Sequence, residues 1–237
     1  MFCADNEIMD KTLFSNVHRV MKYGNFDGQY PIQYFYNTKD NSLNRYFSLM
    51  GGNDPVCYYL GRNDRVPHVL SLRLGSRNMH GTDKRRSYGC NGFFYKSEAI
   101  KKTDLDNYYP MDNALEVGAI YGFTSDAIWH KTAENLFSFL KKRYRYARDL
   151  YCQRQNRRWK IISEKEDYWR LGGFIISTLS CLPCLWVSIK GYSKIKDPAW
   201  FLHWPICAGF LITYTALVIR NLFKHGQLFQ VRCPQSA

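Results

Sequence analysis

Acidic residues are what this sequence is short of. Only 20 Asp and Glu stand against 33 Lys and Arg, a formal net charge of +13 in 237 residues. Such an excess of cations points to an anionic partner: phosphate, nucleic acid or a charged membrane surface. Internal repeats and low-complexity tracts are also lacking, which excludes a repeat array. Aromatics are plentiful, 18 Tyr and 15 Phe among them, and that excludes a disordered basic tail. Charge of either sign is missing from LGGFIISTLSCLPCLWVSI, Leu171 to Ile189. AWFLHWPICAGFLITYTALVI, Ala199 to Ile219, carries only His203. The first residues are polar and acidic, not a basic region followed by an apolar core.

Eight cysteines are scattered along the chain, and with that polar start reduced thiols in a cytosolic setting are expected. Cys181 and Cys184 form CLPC, the spacing of a redox pair or of half a zinc site. Their flanks, TLS and LWV, bring no charged activator. Small side chains in a packed or lipid-facing helix are therefore the expected reading.

Each apolar run is close to the ~20 residues that a helix needs to cross a bilayer. Apolar residues occupy every face, unlike an ordinary surface helix. Trp169, Trp186, Trp200 and Trp204 lie near the ends, where indoles prefer the interface. Pro183 and Pro205 are expected as kinks tolerated inside membrane helices. A buried helical hairpin is the alternative; two spanning helices within 169–221 are the expectation. A basic nucleic-acid-binding protein would explain the charge but not these runs, so no nucleic-acid partner is expected. Cations crowd the stretch ahead of the first run, from Lys141 to Arg170, so the N-terminal part and the tail, 222–237, are expected on the cytoplasmic side. His203 is expected to be interfacial or packed.

Ahead of the runs, residues 1–135 mix strand-like and turn-rich stretches. YPIQYFY and DPVCYYLG suit strands by their Tyr, Phe and Val, although periodicity leaves a helix–loop reading open for the first. Asp10 to about Lys22 is expected to be helical, with Leu13, Val17, Val20 and Met21 on one face and Asp10 as a cap. GGNDP and GRNDR read as loops.

Four pieces carry chemistry. In Asp5-Asn6-Glu7, two carboxylates one residue apart can reach a single hard cation such as Mg²⁺ or Mn²⁺, although a solvated loop explains them equally. In YYPMDNALEVGAIYG, Asp112 and Glu116 share a helix face if the segment is helical. A carboxylate there can serve as a general base or as an N-cap. In SDAIWHKTAENL, His130 is a metal-ligand candidate or a structural histidine beside Trp129. In NLFSFLKKRYRYARDLYCQRQNRRWKII, Leu136, Phe137, Leu140, Tyr144, Ala147, Leu150 and Tyr151 recur at helical spacing with cations between them. This predicts a basic amphipathic helix region over 136–168, suited to the headgroup plane. Arginine forks also match phosphate oxygens.

In this order the pieces resemble the second half of a membrane-bound glycosyltransferase of family 2, the class with a GT-A type nucleotide-sugar-binding domain. ADNE resembles the acidic metal motif, usually D-x-D, that ends a central strand. GCNGFFYKSEAI resembles the turn and strand leading to the acceptor region, and YYPMD the acidic segment that supplies the base. IWHKTAENLFSFLKKRYRYARDLY resembles the histidine and the arginine-rich interface helix that follows it. The chain departs from the pattern at Glu7, a Glu for the second Asp, at Met111, where Glu is common, at Tyr146, where Trp is common, and at Asp149, which replaces a small residue.

The resemblance implies an α/β fold: the C-terminal part of a GT-A (Rossmann-like) domain over 1–135, then the interface helix and two transmembrane helices. It implies that Asp5 and Glu7, with His130, hold Mg²⁺ or Mn²⁺, and that Asp112 takes the proton from the acceptor hydroxyl. Arg143, Arg145 and Arg148 would bind the donor diphosphate or a lipid phosphate. The partners implied are a nucleotide-sugar donor, a lipid-linked or polysaccharide acceptor, and the membrane. Since strands precede the acidic motif in that family, the chain is expected to be one piece of a longer protein. The alternative is a non-catalytic membrane-anchored protein that binds anionic lipid.

Overall fold

The computed structural model describes residues 6–8, 11–23, 28–61, 63, 65, 67, 94–98, 121–152 and 165–225. Helix dominates, beside a small mixed sheet. The elements are β1 (Asn6–Ile8), α1 (Leu13–Tyr23), β2 (Gly28–Tyr34), α2 (Ser42–Met50), α3 (Pro55–Tyr59), β3 (Phe94–Tyr95), β4 (Tyr121–His130), α4 (Leu136–Cys152), α5 (Lys165–Ser180), α6 (Leu182–Lys194), a 3-10 turn (Pro198–Leu202) and α7 (His203–His225).

The sheet order is β1-β4-β2-β3. β2 and β4 run parallel, while β1 pairs with β4 and β3 with β2 antiparallel. Among the described residues β2–β4 is the only parallel pair, so an α/β character is present but not the run of parallel strands of a doubly wound fold. Pro31 cannot donate to a ladder, and the β2–β4 register shifts between Pro31 and Gln33. β4 alternates as its period of two requires: Asp126, Ile128 and His130 are buried, whereas Ala127 and Trp129 are half-buried. α1 covers that buried face with Leu13 and Val17, the face its spacing predicts, and closes a small core with Tyr34 and Ile128. Its first turn bonds back to Thr12; Asp10, expected as the cap, lies outside the described residues.

DPVCYYLG is a helix, not the expected strand. Asp54 caps α3 by accepting from the Val56 amide at 2.9 Å, and Pro55 fills a first-turn position where no N–H is needed. The start signal outweighs the β preference of Val and Tyr. α2 is capped at both ends, by Asn41 accepting from the Asn44 amide at 2.8 Å and by Gly51 in the left-handed region at φ 69°.

The first apolar run is also different from expectation. It is two helices, α5 and α6, bent by 88° at Cys181. A continuous helix would drive the Pro183 ring into the carbonyl of Leu179. Instead Pro183 stands in the first turn of α6, and Cys181 takes φ 63°, a backbone strain of about 1–3 kcal/mol. The proline breaks the run where a tolerated kink was expected. The second run holds: Pro198–Arg220 is long and apolar enough to cross a membrane, and about a third of its apolar window is buried in the fold.

That buried stripe of α7 is gripped along its length. His203 meets Tyr46 at 2.7 Å, Tyr214 donates to Asp54 at 2.6 Å, and Arg220 reaches the Tyr144 hydroxyl at 3.2 Å. Around it lies the main core, with Tyr46, Phe47, Phe139, Phe174, Trp200, Ile206 and Phe210. Gly191 of α6 admits Trp200, since a Cβ there would stand 2.3 Å from the indole. The opposite sides of α5–α7 expose large apolar side chains, including Trp169, Leu179, Trp186, Ile212 and Phe223.

Candidate functional site

The buried face of β4 is where chemistry-bearing side chains gather in the sheet. His130 stacks on the Tyr34 ring, centroids 5.5 Å apart. The Arg65 guanidinium stands 5.3 Å from the same ring and 5.2 Å from Tyr30. Arg65 is 1 % exposed, and its backbone is held by Gly51 at 2.8 Å. Four residues before His130, Asp126 accepts from Asn16 of α1 at 2.9 Å. Its second oxygen is buried with no hydrogen-bond partner among the described residues. A guanidinium and an imidazole against one aromatic ring offer N–H donors suited to an anionic oxygen, and the carboxylate offers an acceptor a few residues away.

The predicted residues fall as follows. β1 carries the acidic segment, and its register sets Asn6 opposite His130 and Glu7 opposite Trp129. The acidic strand therefore lies beside the strand that ends in IWH. Asp5 and Asp112 lie outside the described residues. Arg143, Arg145 and Arg148 stand on α4, the predicted basic helix. Arg143 packs over Phe139 at 5.2 Å, Arg145 is exposed, and Arg148 pairs with its neighbour Asp149 at 3.0 Å in the open. They do not converge with His130 on one ligand. Of the residues expected to hold Mg²⁺ or Mn²⁺, the described part supplies one side chain, His130, buried against Tyr34. This is not a hard-cation donor set.

The connection from β4 to α4 is held firmly. Asn44 of α2 accepts from the Thr132 and Ala133 amides at 2.9 and 3.1 Å. Asn41 donates to the Ala133 carbonyl at 3.0 Å, and Trp129 donates to Asp40 at 2.8 Å. His130 is thus fixed relative to the helices. A second polar knot lies where α2 meets the 3-10 turn. Asp197 accepts from Arg45 at 2.8 Å and Tyr36 at 2.5 Å and caps the turn through the Ala199 amide at 2.7 Å. Burial pushes the Asp197 carboxyl up, but these hydrogen bonds outweigh it and hold the group below its ordinary range. Burial, then the bond to Asp197, raises the Tyr36 phenol to about 12.

Sequence reasoning missed Asp126 and Arg65. The first was findable: in SDAIWH, a period of two puts Asp126, Ile128 and His130 on one face. Arg65, in a loop far from β4 in sequence, gave no signal. The pairing of Cys181 with Cys184 does not occur. The break between α5 and α6 separates them, and Cys184 turns inward to His203, which is packed as expected. No protein-family model, no curated protein and no solved structure matches this chain.

Proposed function

We propose that this chain works at a membrane surface, in the transfer of a sugar from a nucleotide-sugar donor to a lipid-linked or polysaccharide acceptor. The observation that carries the membrane part is the exposed apolar flank of α5–α7 beside the basic helix α4. Exposed Trp169, Trp186 and Trp204 suit the level of the headgroups. Since folded elements grip α7 from His203 to Arg220, the flank seats sideways in one leaflet, with the cationic face of α4 toward anionic lipid on the cytoplasmic side.

The sugar-transfer part rests on the resemblance of ADNE, YYPMD and the IWH-to-α4 stretch to family 2 glycosyltransferases. The β1–β4 register supports it, because it sets the first of these beside the third. In this reading Asp112 takes the proton from an acceptor hydroxyl, which a neighbouring carboxylate can do. A phosphate acceptor is already ionised and leaves Asp112 less to do. Arg65 and His130 offer N–H donors to the donor diphosphate. No step is assigned to the divalent cation.

The test is transfer from a panel of radiolabelled nucleotide sugars by the full chain in nanodiscs containing anionic lipid. Transfer that Asp112→Asn abolishes while donor binding survives supports the reading. Unchanged transfer in that variant refutes the role of Asp112, and no transfer with any donor sinks the enzyme reading for this chain. A second reading, a non-catalytic protein that binds anionic lipid, is favoured by the same flank. Salt-sensitive vesicle binding without nucleotide binding would select it.

A further inference from the structure

Three donor groups meet on the buried side of the apolar helices. Cys184 stands in the first turn of α6, His203 opens α7, and Cys207 lies one turn further along α7. Positions i and i+4 share a helix face, so the imidazole and the Cys207 thiol project together, and the break at Cys181 turns α6 so that Cys184 closes the group. All three side chains are fully buried. One ligand atom from each can be chosen so that all lie within 4.8 Å of one another, and Cys207 Sγ is 3.8 Å from His203 Nε2.

We propose that Cys184, His203 and Cys207 bind a zinc ion that clamps α6 to α7 across the break in the first apolar run. Zn–S bonds of about 2.3 Å and Zn–N bonds of about 2.0 Å put tetrahedral ligands roughly 3.5–3.8 Å apart. The cluster reaches that spacing with a contraction of about 1 Å at most.

The surroundings fit a metal better than three neutral groups alone. His203 Nδ1 is 2.7 Å from the Tyr46 hydroxyl. When Nδ1–H donates there, the Nε2 lone pair turns toward the thiols, the usual way in which an outer partner orients a metal-bound histidine. Without a metal, Nε2 has only long contacts, 3.5 Å to the Tyr59 hydroxyl and 3.8 Å to Cys207 Sγ. The Tyr59 hydroxyl, also 3.3 Å from Cys184 Sγ, stands at the fourth corner. Charge selects the ion. Two thiolates, a neutral imidazole and Zn²⁺ sum to zero, which a low-dielectric interior tolerates. Cu⁺ would leave a net negative charge, and Mg²⁺ or Mn²⁺ prefer oxygen. Binding releases two thiol protons to solvent and changes no oxidation state.

The test uses the full chain in detergent, stripped of metal under reductant, with Co²⁺ as the spectroscopic probe. The expected result is a thiolate-to-cobalt charge-transfer band with tetrahedral visible absorption, bleached by Zn²⁺. Cys184→Ser and Cys207→Ser should each lose the band, while Cys57→Ser and Cys181→Ser keep it. Tyr46→Phe should bind about 10-fold more weakly with the band in place. No band in the wild type, or a band that survives the Cys184→Ser, Cys207→Ser double variant, overturns the proposal. Should the serine variants fail to fold, thiol alkylation of the wild type read by mass spectrometry decides. Zn²⁺ should slow labelling of Cys184 and Cys207 about 10-fold or more relative to Cys181, and equal rates with and without Zn²⁺ reject the site.

Discussion

Around α7 the chain gathers Trp200, Phe139, Phe174, Phe210 and Ile206 into one core, whereas under α1 the described sheet closes over Leu13, Val17, Tyr34 and Ile128. The helical part also satisfies its polar groups with care: Asp54, Asp197 and His203 all have partners. The sheet part buries Asp126 with an orphan oxygen and Arg65 between tyrosine rings. Polar groups held at a cost in a thin core are what a binding face requires, while a deep apolar core serves anchorage. The two parts are then expected to differ in stability as well as in role.

The largest effect should come from the anchor. Trp200→Ala removes a buried indole packed on Gly191 and should cost about 3–5 kcal/mol, read as a lowered Tm in detergent. Gly191→Ala pushes a Cβ into the same ring and should cost about 1–3 kcal/mol. If either variant melts like the wild type, the α6–turn–α7 packing is not the stable part.

Asp197 comes next. Its folded-state pKa is depressed, so its contribution is present above about pH 4 and fades as pH falls through the folded value. Tyr36 acts in the opposite sense: its pKa is raised to about 12, so its contribution is present below about pH 10 and is lost as pH climbs from there toward the folded value. Asp197→Asn should cost about 2–3 kcal/mol at neutral pH and flatten both arms of the Tm-against-pH profile. A variant whose profile keeps both arms would show that the knot is not what titrates.

Asn44 tests the joint between the two parts. Asn44→Ala strips the Thr132 and Ala133 amides of their acceptor and should cost about 1–2 kcal/mol. Hydrogen exchange should rise in β4 and α4 more than in α6 and α7. Uniform acceleration would mean that sheet and helices unfold as one unit.

These contrasts explain what was legible in the sequence. Strong local patterns read correctly: the face of α1, the basic helix α4, and the apolar stretch ending in α7. Each follows from a 3.6-residue period or from composition alone. Misreadings came where two local signals competed. Val and Tyr in DPVCYYLG argued for a strand, but the Asp-Pro cap won. Hydropathy made one span of Leu171 to Ile189, but Pro183 divided it. The groups that gather around the candidate sites come from distant segments, Arg65 beside Tyr34 and Cys184 beside His203, so no local pattern announces them. Asp126 was the exception, visible in the alternation of SDAIWH.

The smallest effect on stability, and the sharpest on role, belongs to the face of α4. Arg148 and Asp149 form a neighbouring pair about half exposed, which contributes close to nothing to folding. Arg145 is exposed. Converting both arginines to Gln should therefore leave Tm unchanged. Binding to phosphatidylserine vesicles should still weaken, since each cation near an anionic surface is worth about 1 kcal/mol, a loss of roughly 30-fold for two. Raising the salt should erase the difference, because the interaction is screened over about a Debye length. Arg143, laid over Phe139, should behave otherwise: its replacement loosens packing and lowers Tm. Equal vesicle affinity for the double variant and the wild type at low salt would mean that α4 faces away from the lipid. The exposed apolar flank of α5–α7 would then hold the membrane alone, and the arginines would be free to serve a soluble phosphate.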